Sequence, residues 1–142
     1  MQGQELHQRC TEQIIEAYTT GHFEPIFPFM ADDIELHSFW VREPRKGKAA
    51  VTEYYTGKGK TLRNSDTEIY GYSVITEAPL RRKSNVILYI PKGTVCAMLS
   101  QTNKGKKTWI IILPGFNEQG LLSEISIHDP QFFNFRPLNA YD

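Results

Sequence analysis

The chain has 142 residues, with 16 Lys and Arg against 16 Asp and Glu, and 40% of its residues are hydrophobic. This length predicts a single domain, residues 1–142, which can bury enough surface to fold without a metal or a disulfide. The balanced charge disfavours nucleic-acid binding and membrane binding, because proteins of both classes usually carry a basic excess.

Cysteine usage and the absence of long apolar stretches bear on the compartment. Cys10 and Cys96 are too few for a disulfide framework, and no Cys or His spacing predicts zinc or another metal. We expect both to be buried thiols. No apolar stretch approaches the roughly 18 residues of a membrane span, and the first ten residues lack the apolar core of a signal peptide. These features predict a cytoplasmic protein without a cofactor.

The chain opens with helical patterns. Residues 4–20 place apolar side chains at spacings of three and four, which predicts an amphipathic helix. Gly21 stands where a left-handed residue would end that helix. Residues 23–30 repeat the spacing, and Pro28 limits this second helix to one or two turns.

The pattern then changes to alternation over residues 32–40, which predicts a strand. One face of this strand would carry Ile34, Leu36, Ser38 and Trp40, and the other Asp33, Glu35, His37 and Phe39. Residues 41–48 contain Pro44 and Gly47 and read as a loop. A third helix is predicted over residues 47–63.

The second half of the chain reads as strands in hairpin succession, with turn residues between them. The predicted strands cover residues 67–76, 85–90, 94–102, 107–113 and 121–128. Helices followed by grouped strands predict an α+β fold. We expect a curved antiparallel sheet of about six strands wrapped against three N-terminal helices.

Two segments, GHFEPIFPFMADDIELHS and GKAAVTEYY, resemble the nuclear transport factor 2-like superfamily, which includes SnoaL-like cyclases and ketosteroid isomerases. The matching positions are Gly21, Asp32 with Asp33, Gly47 with Lys48, and Tyr54 with Tyr55. The resemblance implies a cystatin-like cone with a cavity between sheet and helices, and a homodimer formed through the outer sheet face. Some members are enzymes, and many are binding or interaction modules.

The ketosteroid isomerase residues can be compared one by one. Those enzymes, which this chain resembles, carry a tyrosine on the first helix, seven residues before the glycine that ends it. In this chain Ile14 stands at that position. Their aspartate base, five residues after the Asp-Asp pair, is replaced by Ser38. Without an oxyanion tyrosine and a carboxylate base, enolisation by that route is disfavoured.

Aromatic side chains suggest a small-molecule pocket, because an apolar cavity with a few polar groups is the usual form of such a site. The expected ligand-binding residues are Trp40, Ser38, Tyr54, Tyr55, Met98 and Trp109. An apolar or amphipathic ligand in the cone is the leading interpretation. The alternatives are a small cyclase, dehydratase or isomerase that transfers a proton with Ser38, Tyr54 or His128, and a dimeric interaction module whose interior is only a packed core.

Other features have weaker functional readings. Glu35 and His37 share the outer face of the first strand, where a solvated or dimer-facing role is favoured over a metal site. Basic clusters, which include Arg45 and Lys58, are usually solvated, and an anion-binding mouth is the alternative. The aromatic tail, residues 130–142, is expected to pack on the sheet, close the pocket or join a dimer partner.

Overall fold

The computed structural model describes residues 2–38, 41–75, 80–81, 89–90 and 95–129. Its elements in chain order are α1 (Gln2–Thr20), a 3-10 helix (Glu24–Phe29), β1 (Met30–Ser38), β2 (Val41–Lys46), α2 (Lys48–Arg63), β3 (Glu68–Ile75), β4 (Leu80–Arg81), β5 (Tyr89–Ile90), β6 (Val95–Asn103), β7 (Lys106–Phe116) and β8 (Leu122–His128). Trp40 and the tail lie outside the described residues, so the expectations about them stay predictions.

The first helix follows its apolar spacing. α1 buries one stripe of side chains against the sheet: Cys10, Ile14, Ala17 and Tyr18. Gly21 has a φ of 77° and donates its N–H to the Ala17 carbonyl at 2.8 Å, which ends the helix as predicted. The following short helix is of the 3-10 type and contains Pro25 and Pro28.

The second α-helix begins beside the first strand. Gly47 has a φ of 96° and precedes α2, and its N–H donates to the Ile34 carbonyl at 2.7 Å. This bond ties the start of α2 to β1. The helix then runs to Arg63, close to the predicted end.

Six strands form one mixed sheet in the order β2-β1-β8-β7-β6-β3, and β4 pairs with β5 separately. All neighbours in the large sheet are antiparallel except β1 and β8, which are parallel. The expectation of an antiparallel sheet therefore needs this correction. Since no hairpin joins β1 to β8, their direction is set by the long intervening chain.

The segment expected to be a loop contains a strand instead. Residues Val41–Lys46 form β2, which pairs with β1 at the edge of the sheet. Pro44 is compatible with this position because a proline on an edge strand need not donate a ladder hydrogen bond.

The sheet has two distinct faces. Its helix-facing side packs against both α-helices in one core, which includes Ile34, Leu99, Ile112 and Ile125. On the opposite side, called the outer face below, a second cluster is formed by Cys96, Met98 and Ile111, with Tyr72, Trp109 and Leu113 against it. Among the described residues, no helix combines the length and apolarity that a bilayer crossing requires.

Candidate functional site

The alternation predicted for β1 sets the position of Ser38. Ile34 and Leu36 are buried in the core, which confirms the predicted inner face of this strand. Ser38 continues that series, is half-buried, and stands opposite Ile127 of the same core in the β1–β8 pairing. Ser38 thus lies on the helix-facing side, at the end of the described strand.

Met98 and Trp109 lie on the other side of the sheet. Met98 is opposite Ile111 and belongs to the outer cluster, whereas its neighbour Leu99 belongs to the helix-facing core. Trp109 packs against the same outer cluster. Because the sheet separates the two faces, these two residues cannot line one pocket with Tyr54 and Tyr55. The expectation of a single six-residue pocket is wrong in this respect.

Tyr55 is a core residue. It is fully buried, its hydroxyl oxygen lies 3.0 Å from that of Tyr18, and Phe23 stacks on its ring with centroids 4.6 Å apart. Burial raises the pKa of both tyrosines above the usual range. Both therefore stay protonated at neutral pH, and neither can serve as a general base or reach a ligand from this position.

Tyr54, the neighbouring residue, is half-buried and lines a pocket of about 540 Å³ along the exposed side of α2. The described residues that line this pocket, called the α2 pocket below, are Arg45, Ala50, Glu53, Tyr54, Gly57, Lys58, Thr61 and Leu62. Arg45 comes from β2, and the others come from α2. The β2 strand that the sequence did not predict therefore supplies one wall.

Two cations line the α2 pocket with Tyr54. The Arg45 guanidinium carbon lies 4.6 Å from the centroid of the Tyr54 ring, and the Lys58 ammonium lies 5.8 Å from that of Tyr18. Among the described residues, no carboxylate oxygen comes within 4.0 Å of either cation, although Glu53 lines the same pocket. Both positive charges are thus available to a negatively charged partner.

Burial changes the ionisation of the pocket residues. It lowers the pKa of Lys58, because partial removal from water disfavours the charged amine. It raises the pKa of Tyr54, although the nearby Arg45 guanidinium opposes that shift. Tyr54 therefore remains a neutral hydroxyl at physiological pH, able to donate or accept a hydrogen bond.

The three residues considered for proton transfer lie on three different elements, and the sheet separates His128 from the other two. Ser38 ends β1 on the helix-facing side, and Tyr54 lies on α2. His128 is opposite Ile111 on the outer face, where its Nε2 lies 2.8 Å from the Ser126 hydroxyl. His128 thus does not face the helix side of the sheet, contrary to a role at the mouth of the cone.

His37 also lies on the outer face, as the alternation predicts. Its Nε2 is 3.0 Å from a carboxylate oxygen of Glu35, and both side chains are about two-fifths exposed, at 39% and 42%. Within the described part of the chain, no group of three or more His, Cys, Asp or Glu residues is arranged to hold a metal ion. The pair is a side-chain contact on a partly solvated strand face.

Arg45 and Lys58 belong to basic clusters in the sequence, and those clusters alone do not connect the two residues with Tyr54. The spacing of Tyr54 and Lys58 by four residues puts both on one side of a helix, which was a readable signal. The sequence does not indicate the contribution of Arg45, because Pro44 and Gly47 predict a loop over residues 41–48.

Comparisons with solved structures support the fold. An NTF2-like protein of unknown function from Cytophaga hutchinsonii matches with a TM-score of 0.57 and 12% identity, covering 86% of this chain and 97% of that one. A protein from Kribbella flavida, proposed to be a ketosteroid isomerase, matches with a TM-score of 0.57 and 10% identity, covering 94% and 82%. An uncharacterized protein with a cystatin-like fold from Silicibacter pomeroyi matches with a TM-score of 0.56 and 13% identity, covering 92% of this chain and 75% of that one.

These similarities show that the chain has the nuclear transport factor 2-like, cystatin-like fold, as the sequence resemblance implied. At such low identity they establish the fold and no activity. No family model matches the chain, and no curated protein matches it.

Proposed function

We propose that this protein is a small-molecule-binding domain that takes an amphipathic ligand with an anionic group in the α2 pocket. The observation that carries the proposal is the pair of cations, Arg45 and Lys58, that line this pocket and have no carboxylate oxygen within 4.0 Å among the described residues. The fold is compatible, since its structural neighbours include an NTF2-like protein and a proposed ketosteroid isomerase.

The charge of the pocket favours an anion. A cation that is partly removed from water and unpaired is unfavourable, and a ligand carboxylate would offset this cost for Lys58. Arg45 can present two parallel donors to a carboxylate, which fixes the orientation of the bound group. A negatively charged group at one end of a ligand would therefore complement the charge of this pocket.

The remaining walls suit an apolar chain or ring. Ala50, Leu62 and the Tyr54 ring supply apolar surface beside the two cations. The pocket volume of about 540 Å³ lies within the roughly 300–1,000 Å³ typical of small-molecule sites. This combination favours an amphipathic molecule over a bare inorganic anion.

The α2 pocket differs from the position expected from the sequence, which was the interior of the cone beside Ser38. In the described part of that interior, large side chains such as Tyr18, Tyr55, Phe23 and Ile112 are almost fully buried against one another. This packing favours the α2 pocket, and the interior beside Ser38 remains the alternative binding site.

The test uses decanoate and decanol, which share a ten-carbon chain and differ in charge. We expect decanoate to bind more tightly than decanol in a ligand-observed NMR titration. Arg45→Met and Lys58→Met should each weaken decanoate binding about tenfold, which corresponds to a loss of roughly 1.4 kcal/mol of binding free energy. Lys60→Met is the matched control, because Lys60 is exposed on the same helix and does not line the pocket.

Two outcomes would contradict the proposal. Equal affinity for decanoate and decanol would show that the cations play no part in binding. Equal losses in Lys58→Met and Lys60→Met would show that overall charge, and not this pocket, attracts the ligand.

Catalysis is a second candidate that no observation favours, since Ser38, Tyr54 and His128 lie on different elements and sides of the sheet.

A homodimer through the outer face is a further proposal, prompted by the family resemblance. Native mass spectrometry of the purified protein reports its subunit number and any small molecule that remains bound. A strictly monomeric mass at micromolar concentration would contradict the dimer.

A further inference from the structure

The outer face of the sheet carries a second pocket, far from α2 in the topology. It has a volume of about 380 Å³ and lies over β3, β6 and β7. Its lining includes the aromatic residues Tyr70, Tyr72 and Trp109, with Glu68 and Lys107 at one end. We call it the outer pocket. None of these residues lines the α2 pocket.

The strand register explains why the aromatic side chains converge. Tyr70 is opposite Ser100, which is opposite Trp109 on the next strand. Cross-strand partners point to the same face, so the small Ser100 side chain separates two large rings. Tyr72 follows Tyr70 on the same face, and its ring centroid lies 6.4 Å from that of Trp109 at an interplanar angle of 71°. The pocket is therefore a depression bordered by aromatic rings.

The pocket already holds a cation of the protein itself. The Lys107 ammonium lies over the Trp109 ring, 5.3 Å from its centroid, which is within the roughly 6 Å range of a cation–π contact. Among the described residues, no carboxylate oxygen lies within 4.0 Å of this ammonium. The accessible face of the Trp109 ring in this pocket thus already holds a positive charge.

We propose that the outer pocket binds a ligand with a quaternary ammonium group, which displaces Lys107 from the Trp109 ring. Aromatic rings attract such a group through their electron-rich faces, and a methylated ammonium loses less hydration than a lysine amine on entering an apolar site. Tyr70, with an exposed fraction of 72%, offers a further ring that a ligand can cover. The Glu68 carboxylate lines the same pocket and complements the charge.

The test compares choline with 3,3-dimethylbutanol, its uncharged carbon analogue, in ligand-observed NMR titrations of the full chain. We expect choline to bind more tightly than the analogue. Glu68→Gln should weaken choline binding, and Trp109→Phe should weaken it further while retaining a ring that fills the same place. Glu68 is exposed, so its variant tests the proposal even if changes at Trp109 disturb folding.

Lys107→Met gives the sharpest prediction, because it removes the internal competitor and a like charge. We expect choline to bind roughly two- to fivefold more tightly, the fold-change that corresponds to a cation–π contact of about 0.5–1 kcal/mol. Lys106→Met is the matched control, because Lys106 is an exposed neighbour that does not line the pocket.

Three results would overturn the proposal. The first is equal binding of choline and its uncharged analogue, and the second is weaker choline binding in Lys107→Met. The third is the absence of choline binding in the wild-type chain and in Lys107→Met alike.

Discussion

The packing of α1 against α2 can be tested with two glycines of the same helix. Gly57 and Gly59 both lie in α2, but a Cβ added at Gly57 would have no atom within 4 Å. A Cβ added at Gly59 would lie 2.6 Å from the Gly21 carbonyl oxygen and 3.3 Å from Phe23. The first distance is too short for any real contact, and a backbone atom cannot move aside as a flexible side chain can.

The expected effects have opposite signs. Gly57→Ala should stabilise the protein by about 0.5–1 kcal/mol, because alanine has the higher helix propensity. Gly59→Ala gains a similar amount from helix propensity, but its methyl group would push α2 away from the end of α1. Such overpacking typically lowers the free energy of unfolding by about 1–3 kcal/mol. Since the contact is with backbone, we expect the upper part of that range and a net loss of about 1–2 kcal/mol.

Thermal unfolding followed by circular dichroism measures the difference. The two variants differ by about 1.5–3 kcal/mol, and at about 3–4 °C per kcal/mol for a chain of this size their Tm values should differ by roughly 5–12 °C. Urea denaturation at 25 °C gives the free energies of unfolding independently. If Gly59→Ala were as stable as Gly57→Ala, the close contact between α2 and the end of α1 would be refuted.

The remaining predictions concern buried polar groups. Tyr55→Phe should lower the free energy of unfolding by about 1–3 kcal/mol, because it leaves the buried Tyr18 hydroxyl without its partner at 3.0 Å. Adding Tyr18→Phe to that variant should cost less than the Tyr18→Phe change costs alone, and strict additivity in urea denaturation would argue against the contact. Burial also raises the pKa of the Cys10 and Cys96 thiols from 9.0 to about 11. Because the two thiols hold their protons more tightly in the folded chain than in the unfolded chain, they contribute to the free energy of unfolding. This contribution is complete below pH 9 and is lost as the pH rises toward 11. Urea titrations from pH 7 to 11 should show this decline, and it should be smaller in Cys10→Ala.

Several elements were readable from the sequence because local patterns determine them. The apolar spacing of α1 and the glycine after it predicted both the helix and its end. The alternation of Ile34 and Leu36 with charged residues predicted which face of β1 is buried, since only one face of that strand is apolar.

The strand β6 illustrates what the sequence could not reveal. All residues from Val95 to Ser100 are buried, so both faces of the strand contact other groups and no alternation marks the side that faces the helices. Met98 was therefore grouped with Tyr55 although the sheet lies between them. Only the pairing of Met98 with Ile111 assigns its face.

The position of Arg45 was missed for a different reason. Pro44 and Gly47 are typical of a loop, and an edge strand is one of the few places where a proline fits a sheet. The pairing of Arg45 with Leu36 of β1 is a tertiary contact that no local pattern encodes. Because this pairing sets Arg45 beside Tyr54, the α2 pocket could not be predicted from the sequence.

The central claim, that an anionic amphiphile occupies the α2 pocket, is tested most directly by mapping where decanoate binds. Chemical-shift changes in an isotopically labelled sample locate the ligand on the fold. We predict that the largest changes fall on Arg45, Tyr54, Gly57 and Lys58. Changes concentrated instead on the helix-facing sheet residues Leu99, Ile112 and Ile125 would contradict this account.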